Sequence, residues 1–520
     1  MRRRLFLAGG AGAVAALSAQ SLGACSSPGS HSVATDASPS DISQLHAEVA
    51  KLREKYVATF DAEYVDNVIV PNFLSRITDG ERPTLPMIDL PLTKENALPR
   101  DLWGLLSQTW GPDPEHGVTV FLQGLEKRGP DNRRKRIYMS ATTPDLYFSK
   151  YRNKVVDYFT GLFGPQNANK PLMRIYLDTF WDLYWDLHLG VRGKQIPDKV
   201  RQIGASFNAV LAYRDPTQKV VYDNYMVVRA NLEYLRSWID EGLANIVSGK
   251  TSDPEKTFAW YWLKNGEGSE YFNHQDVIFE VFHNFVAFSQ WGNTLYNIMA
   301  TMRRDGGNAQ ARDWFIRTMS ADPDNAKGAS FPPLERFVME LFRTISPNPG
   351  SISALTEASP PPFTRHNYMN SPHTSTSHDR VQWVNPDDFD PSRYEHAPTS
   401  AQIDEARIRQ MGLAQCPFTP ASFEVRDGRR ATIDNSAFGT VFGVVEDKPL
   451  PVCDYAGFAP FGFGYRRCPG EQLTLLAFAD VLRKVWSDKL EFVAVGGPDS
   501  AKMPIGPSTV ITDDIGFVRP

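Results

Sequence analysis

The stretch Phe461-Gly462-Phe463-Gly464-Tyr465-Arg466-Arg467-Cys468-Pro469-Gly470 constrains this chain more than any other. One cysteine ends a glycine-rich loop that leads into an apolar run, Leu473 to Val485, with helical spacing. Glycines let a backbone turn tightly and approach a flat partner closely. A cysteine just ahead of a helix lies near the positive end of the helix dipole, which favours its thiolate form. A buried cysteine among glycines is common by itself. The weight of the stretch lies in how many of its positions combine.

A thiolate held this way suits a haem iron, onto which sulfur pushes electron density and so favours O–O cleavage. The string resembles the haem-binding loop of the cytochrome P450 superfamily, F-G-x-G-x-R-x-C-x-G, at every fixed position. The resemblance implies haem b as cofactor and Cys468 as the axial iron ligand. It implies Phe461, Gly462, Gly464 and Gly470 as the loop around the haem, and Arg466 beside a haem propionate. Arg365, in Phe363-Thr364-Arg365-His366, is a second candidate for the haem edge, where the family's first sheet passes.

Two further segments extend the likeness. Glu340-Leu341-Phe342-Arg343, followed by Thr-Ile-Ser-Pro-Asn-Pro-Gly, resembles the family's E-x-x-R helix and its proline-ended turn. Glu and Arg at i,i+3 share a helix face, and the prolines stop the helix. Alone, such a pair more often decorates a solvated surface; its order ahead of Cys468 gives it meaning. Phe389-Asp390-Pro391-Ser392-Arg393-Tyr394 resembles the family's F-x-P-x-R-F turn, with Tyr394 in place of the usual Phe. The resemblance implies that Glu340, Arg343 and Arg393 form a buried ionic network bracing the haem loop, since buried charges persist only when paired.

The likeness covers residues 95 to 520. Length alone allows about two to four domains. A single haem domain, residues 46 to 520, is expected instead: mainly α with small β-sheets, the cytochrome P450 fold. The apolar-periodic runs Leu172–Leu189, Tyr222–Val247 and Asp276–Met302 supply its long helices. A net charge of −5 gives no reason to expect nucleic-acid binding. No basic tract, zinc-ligand spacing, phosphate-cradling loop or internal repeat is apparent.

The N-terminus reads as a separate unit. Arg2-Arg3-Arg4-Leu5-Phe6-Leu7 precedes a short Ala/Gly-rich apolar stretch, the pattern of a bacterial export signal rather than a membrane span. Arg3-Arg4-x-Phe6-Leu7 resembles the twin-arginine signal. Leu22-Gly23-Ala24-Cys25 resembles a lipoprotein processing site, which makes Cys25 the lipidated residue and residues 1–25 the signal. Plain cleavage near Ala24 and an uncleaved anchor are the other readings. Residues 26–45, rich in Ser, Pro and Ala, read as a flexible tether. Of four cysteines, Cys416 and Cys453 then remain. They are open either to a disulfide, which an oxidising compartment permits, or to two separate buried thiols.

The chain departs from the family in two places. The helix expected across the distal haem face is Val277 to Met302, and it lacks the family's A-G-x-D/E-T string, whose acid and alcohol deliver protons to bound oxygen. Gly292-Asn293-Thr294 is the nearest fragment. Phe282-His283-Asn284-Phe285-Val286-Ala287-Phe288 is instead faintly similar to the allene oxide synthase and hydroperoxide lyase branch, which implies that the Asn284 carboxamide orients a hydroperoxide. Asn284 and Gln290 also fit as satisfied polar groups between helices, and His283 as a buried hydrogen-bonded side chain. Gln290 and Thr294 complete the candidate catalytic set. The second departure is an insert, residues 394–450, between Arg393 and the cysteine loop, with a helical stretch at Ala401–Met411 and strand-like runs at Ser422–Ile433 and Thr440–Glu446. It lies where family members dock electron donors.

Compartment and chemistry meet here. NAD(P)H-linked reductases are cytoplasmic, whereas a peroxide brings its own oxygen. The expected protein is a haem-thiolate oxidoreductase driven by peroxide, acting on a small apolar, lipid-like substrate such as a fatty-acid hydroperoxide, and bound to a membrane through its lipid anchor. A conventional electron-donor-dependent monooxygenase and a non-catalytic haem- or lipid-binding lipoprotein are the alternatives.

Overall fold

The longest helix among the described residues starts at a reciprocal cap. Asn273 Oδ1 accepts from the Asp276 amide at 3.1 Å, and Asp276 Oδ2 accepts from the Asn273 amide at 2.8 Å. Two donors that a helix start leaves without partners are thereby satisfied. The computed structural model describes residues 50–65, 133–212, 217–327, 331–345, 351–354, 368–371, 383–395, 424–426, 429–431, 442–445, 448–451, 468–495 and 515–519, with a few isolated positions besides.

The chain divides into two compact units. One comprises Met1–Asp131, Asn348–Asp387 and Ala397–Cys468; the other comprises Asn132–Pro347, Asp388–His396 and Pro469–Pro520. Among its described residues, the first contains three antiparallel strand pairs: β1 Ser351–Ala354 with β2 Tyr368–Ser371, β3 Glu424–Arg426 with β4 Arg429–Ala431, and β5 Phe442–Val445 with β6 Lys448–Pro451. Within the strand-like run Ser422–Ile433, the described residues 424–426 and 429–431 pair antiparallel. The Ala401–Met411 stretch lies outside the described residues.

The second unit is helical. Its longer helices are α1 Arg133–Met139, α2 Arg152–Leu162, α3 Met173–Leu189, α4 Asp198–Ala212, α5 Lys219–Ala230, α6 Leu232–Val247, α7 Phe258–Gly266, α8 His274–Thr301, α9 Ala309–Ser320, α10 Pro333–Thr344 and α11 Glu471–Ser487. The periodic run Tyr222–Val247 is broken between α5 and α6 at Asn231. There the side-chain amide donates to the Val227 carbonyl at 2.7 Å, and the backbone N–H bonds Val228 instead. Asparagine competes with the helix for its own carbonyls, an effect that apolar spacing does not register.

Helix α8 packs against α3, α4, α6 and α7. Its inner face meets a cluster of rings, Trp181, Tyr184, Trp185 and Phe207 around Phe285, with ring centroids 4.8–5.6 Å apart. Each such side chain contributes on the order of 1.5–3 kcal/mol by leaving water. Gly292 matters where α8 passes α3, because a Cβ there would lie 3.0 Å from the Phe180 ring. A hairpin, β7 Glu491–Ala494 with β8 Ile515–Val518, closes the end of the unit, and the Leu172 amide donates to its Ile515 carbonyl at 2.9 Å. Among the described residues, no helix is long and apolar enough to cross a membrane.

Candidate functional site

The cysteine loop is closed by a backbone bond: the Cys468 N–H donates to the Phe461 carbonyl at 2.7 Å. Phe461 is buried, and Cys468 is a half-buried thiol. Pro469 and Gly470 connect it to α11, whose N-cap is Gly470, without a side-chain cap. A thiol held by a short backbone bond and not fully enclosed fits an axial haem ligand. Gly462, Gly464, Arg466, Arg365, Cys25, Cys416 and Cys453 lie outside the described residues.

A separate cluster forms around Glu340. Arg343 donates from Nε to Oε2 at 2.8 Å and from Nη2 to Oε1 at 2.7 Å. Arg393 Nε reaches Oε1 at 3.1 Å, and the Asp390 amide reaches it at 2.9 Å. The Tyr394 hydroxyl donates to Oε2 at 3.2 Å. Glu340 and Arg343 are fully buried. Both guanidinium groups also donate to the Asp388 carbonyl, at 3.0 and 3.1 Å. The F-x-P-x-R-F turn is a 3₁₀ turn, Pro391–Tyr394, packed on α10. Tyr394 was not among the sequence candidates. The only hint of its role was its hydroxyl at a position where phenylalanine is usual.

Helix α8 presents two faces that the sequence does not distinguish. Ala287 is exposed, in the middle of a helix most of whose described side chains are buried. His283 and Gln290, one turn to either side of it, are half-buried. Thr294 continues the stripe, fully buried, and its hydroxyl has no hydrogen-bond partner among the described residues. The spacing 283, 287, 290, 294 follows one side of a helix.

Asn284 lies one position off this stripe. Its Nδ2 donates to His188 Nε2 at 2.9 Å, and its Oδ1 accepts from the Tyr138 hydroxyl at 2.6 Å. His188 Nδ1 in turn lies 2.8 Å from the Tyr184 carbonyl, and its ring stacks on Tyr184 at 4.1 Å. That carbonyl can only accept, so Nδ1 carries the proton and Nε2 accepts. Burial lowers the pKa of His188 to about 3, keeping the ring neutral. Both ends of the Asn284 carboxamide are therefore engaged between helices.

Ion pairs missed in the sequence reading tie α11 to residues 147–152. Asp480 of α11 accepts from the Tyr147 hydroxyl at 2.7 Å, from Arg152 at 2.8 and 3.0 Å and from Arg483 at 2.7 Å. Tyr147 and Arg152 lie too far from Asp480 in the chain for a sequence pattern to join them, whereas Arg483 is one turn away on α11. Among the described residues, no group of three His, Cys, Asp or Glu side chains could hold a metal ion.

No family model matches the chain, and no curated protein matches it in sequence. Solved structures do. Ligand-free cytochrome P450 OleT superposes with a TM-score of 0.51 at 13% identity, covering 80% of this chain and 83% of that one. A triple mutant of the cytochrome P450DA haem domain superposes with a TM-score of 0.51 at 12% identity, covering 86% of each chain. At such identities the likeness concerns architecture alone. Mostly helical, with small antiparallel sheets, the chain has the cytochrome P450 fold.

Proposed function

We propose that this protein is a haem-thiolate oxidoreductase driven by peroxide, either rearranging a hydroperoxide or inserting its oxygen into an apolar, lipid-like substrate. The carrying observation is the F-G-x-G-x-R-x-C-x-G loop, ending in the half-buried thiol of Cys468, on a chain of this fold. Cys468 would hold the iron of haem b, Arg466 and Arg365 would meet its propionates, and Phe461, Gly462, Gly464 and Gly470 would shape the loop. Bound there, a thiolate-ligated haem supplies the electron-rich iron that favours O–O cleavage.

The remaining roles fall to the chain's own side chains. Glu340, Arg343 and Arg393 brace the turn that they share. The stripe of α8 lines the substrate side, where Gln290 and Thr294 offer an amide and an alcohol to a bound peroxide. Asn284 acts as a positioning residue by fixing α8 against His188 and Tyr138. Peroxide use is supported by the missing acid ahead of Thr294, by the insert before Cys468 and by the export signal. The Thr294 alcohol on the stripe favours a second reading, an electron-donor-dependent monooxygenase.

The test uses purified ferric holoprotein. It is expected to consume a polyunsaturated fatty-acid hydroperoxide, or to oxidise an apolar substrate with added peroxide, without any reductase. Its reduced carbon monoxide complex should show the thiolate-type band, which Cys468→Ala should lose along with most haem affinity. Inertness to peroxides, combined with NADPH-dependent hydroxylation through a surrogate ferredoxin system, would establish the monooxygenase reading instead. A thiolate band retained in Cys468→Ala would overturn the ligand assignment.

A further inference from the structure

The polar residues in the C-terminal half of α8 gather on one side. At about 100° of turn per residue, Gln290, Asn293, Thr294 and Asn297 fall within an arc of about 100°. Asn293, Thr294 and Asn297 are buried, and Gln290 is half-buried. Helix α4 meets this side: Asn293 Nδ2 donates to Asn208 Oδ1 at 3.3 Å. That bond uses the nitrogen of one amide and the oxygen of the other. Asn208 Nδ2 then stands as a donor and Asn293 Oδ1 as an acceptor, and neither has a further hydrogen bond among the described residues. Both helices belong to the helical unit, so the cluster lies within it.

A threonine hydroxyl in a helix commonly bonds the carbonyl one turn back. Threonines of four other helices do so: Thr160 to Val156, Thr179 to Ile175 and Thr474 to Gly470 at 2.7 Å, and Thr344 to Glu340 at 2.9 Å. Thr294 does not: it is 1% exposed, and its hydroxyl has no hydrogen-bond partner among the described residues. A polar group buried without a partner is costly, and a ligand atom that bonds it removes that cost. The two helices offer no charge to an ionised group. Helix α8 carries no Asp, Glu, Lys or Arg from Asn284 to Thr301, and α4 none from Ile203 to Ala212. A carboxylate brought here would find no cation on either helix. A neutral O–H group, which donates and accepts at once, matches an amide N–H, an amide carbonyl and a hydroxyl.

We propose that Asn208, Asn293 and Thr294 form a subsite of the helical unit for the neutral hydroxyl group of an apolar, lipid-like ligand, an alcohol rather than a free acid. This assignment rests on the reading above only in taking the ligand to be apolar and lipid-like. The ligand oxygen accepts from Asn208 Nδ2 and from the Thr294 hydroxyl, and its O–H donates to Asn293 Oδ1. Ordered water would engage the same atoms but confers no selectivity among lipids.

Octanol, octanoate and chlorooctane share a chain length and differ at the end group. Their affinities for the purified full chain would be measured by equilibrium dialysis at neutral pH. Octanol should bind at least about tenfold more tightly than octanoate. Thr294→Val keeps the shape of the side chain and breaks no described hydrogen bond. In that variant octanol should lose about tenfold in affinity while chlorooctane binds as in wild type. Asn208→Leu should show the same loss, with thermal melting of both variants as the check on folding. An octanol-to-chlorooctane ratio unchanged in folded Thr294→Val overturns the proposal, and so does octanoate bound as tightly as octanol. The carbon monoxide band and peroxide consumption of the same wild-type protein test the haem-thiolate reading separately. If both are absent while the octanol selectivity holds, that reading fails and the subsite stands. If both are present and octanol is not bound, the subsite fails and the reading stands.

Discussion

At the scale of single residues, the two oxygens of Glu340 are shared among four partner residues. They accept from both arginines, from the Asp390 amide and from the Tyr394 hydroxyl. A buried carboxylate with every lone pair employed is stable; the same group with one partner removed leaves charge without compensation. Glu340→Ala strands two guanidinium groups and should cost about 3–5 kcal/mol, giving poorly folded, haem-poor protein. Near-normal melting of that variant would contradict the burial. Tyr394→Phe removes one hydrogen bond from a carboxylate that keeps its others, and should cost only about 1–3 kcal/mol in urea unfolding. Burial first, and then the Glu340 carboxylate, hold the Tyr394 phenol well above its ordinary pKa, so it remains a donor at any working pH. The Glu340–Arg343 spacing and the position of Arg393 are visible in the sequence. The Tyr394 bond is not, because a tyrosine in place of a phenylalanine reads equally well as a ring with an exposed hydroxyl.

At the scale of elements, α8 shows how little a sequence reveals about a helix that is apolar on most sides. Asn284 and Gln290 look equivalent in the string, yet Asn284 joins His188 and Tyr138 while Gln290 lies on the accessible stripe. The burial of His188 beside Asn284 makes the packing of α3 and α8 acid-sensitive. In the unfolded chain, His188 takes up a proton as pH falls below its ordinary value of 6.5; in the folded protein it does so only near 3. Its contribution is therefore fully present above pH 6.5 and is lost progressively as pH falls towards 3. The loss is on the order of 5 kcal/mol across the window. Unfolding by urea at stepped pH should show this slope, and His188→Gln, which cannot take up the proton, should flatten it. An unchanged slope in the variant would assign the acid sensitivity to other groups. Asn284→Ala should melt earlier at neutral pH, because it leaves the Tyr138 hydroxyl and His188 Nε2 without their partner.

At the scale of the whole molecule, the N-terminal expectations concern residues outside the described structure, and they are settled in cells. Arg3→Lys combined with Arg4→Lys should retain the protein in the cytoplasm, and Cys25→Ala should release it from membranes after export. Fractionation of both variants like the parent would remove the export and anchoring assignments together. The E-x-x-R helix and the mainly helical class were legible because each depends on residues close together in the chain: a charge pair one turn apart, apolar side chains at helical spacing. The break at Asn231, the ties of Asp480 to Tyr147 and Arg152, and the Arg134–Glu280 pair were not, because their partners are far apart or compete with the helix itself. By itself, then, the sequence determined the mainly helical architecture and its buried Glu340–Arg343 pair. Only the tertiary structure decided which described side chains of α8 stay accessible, because a helix with apolar residues nearly all round has no inner side until its neighbours α3, α4, α6 and α7 pack against it.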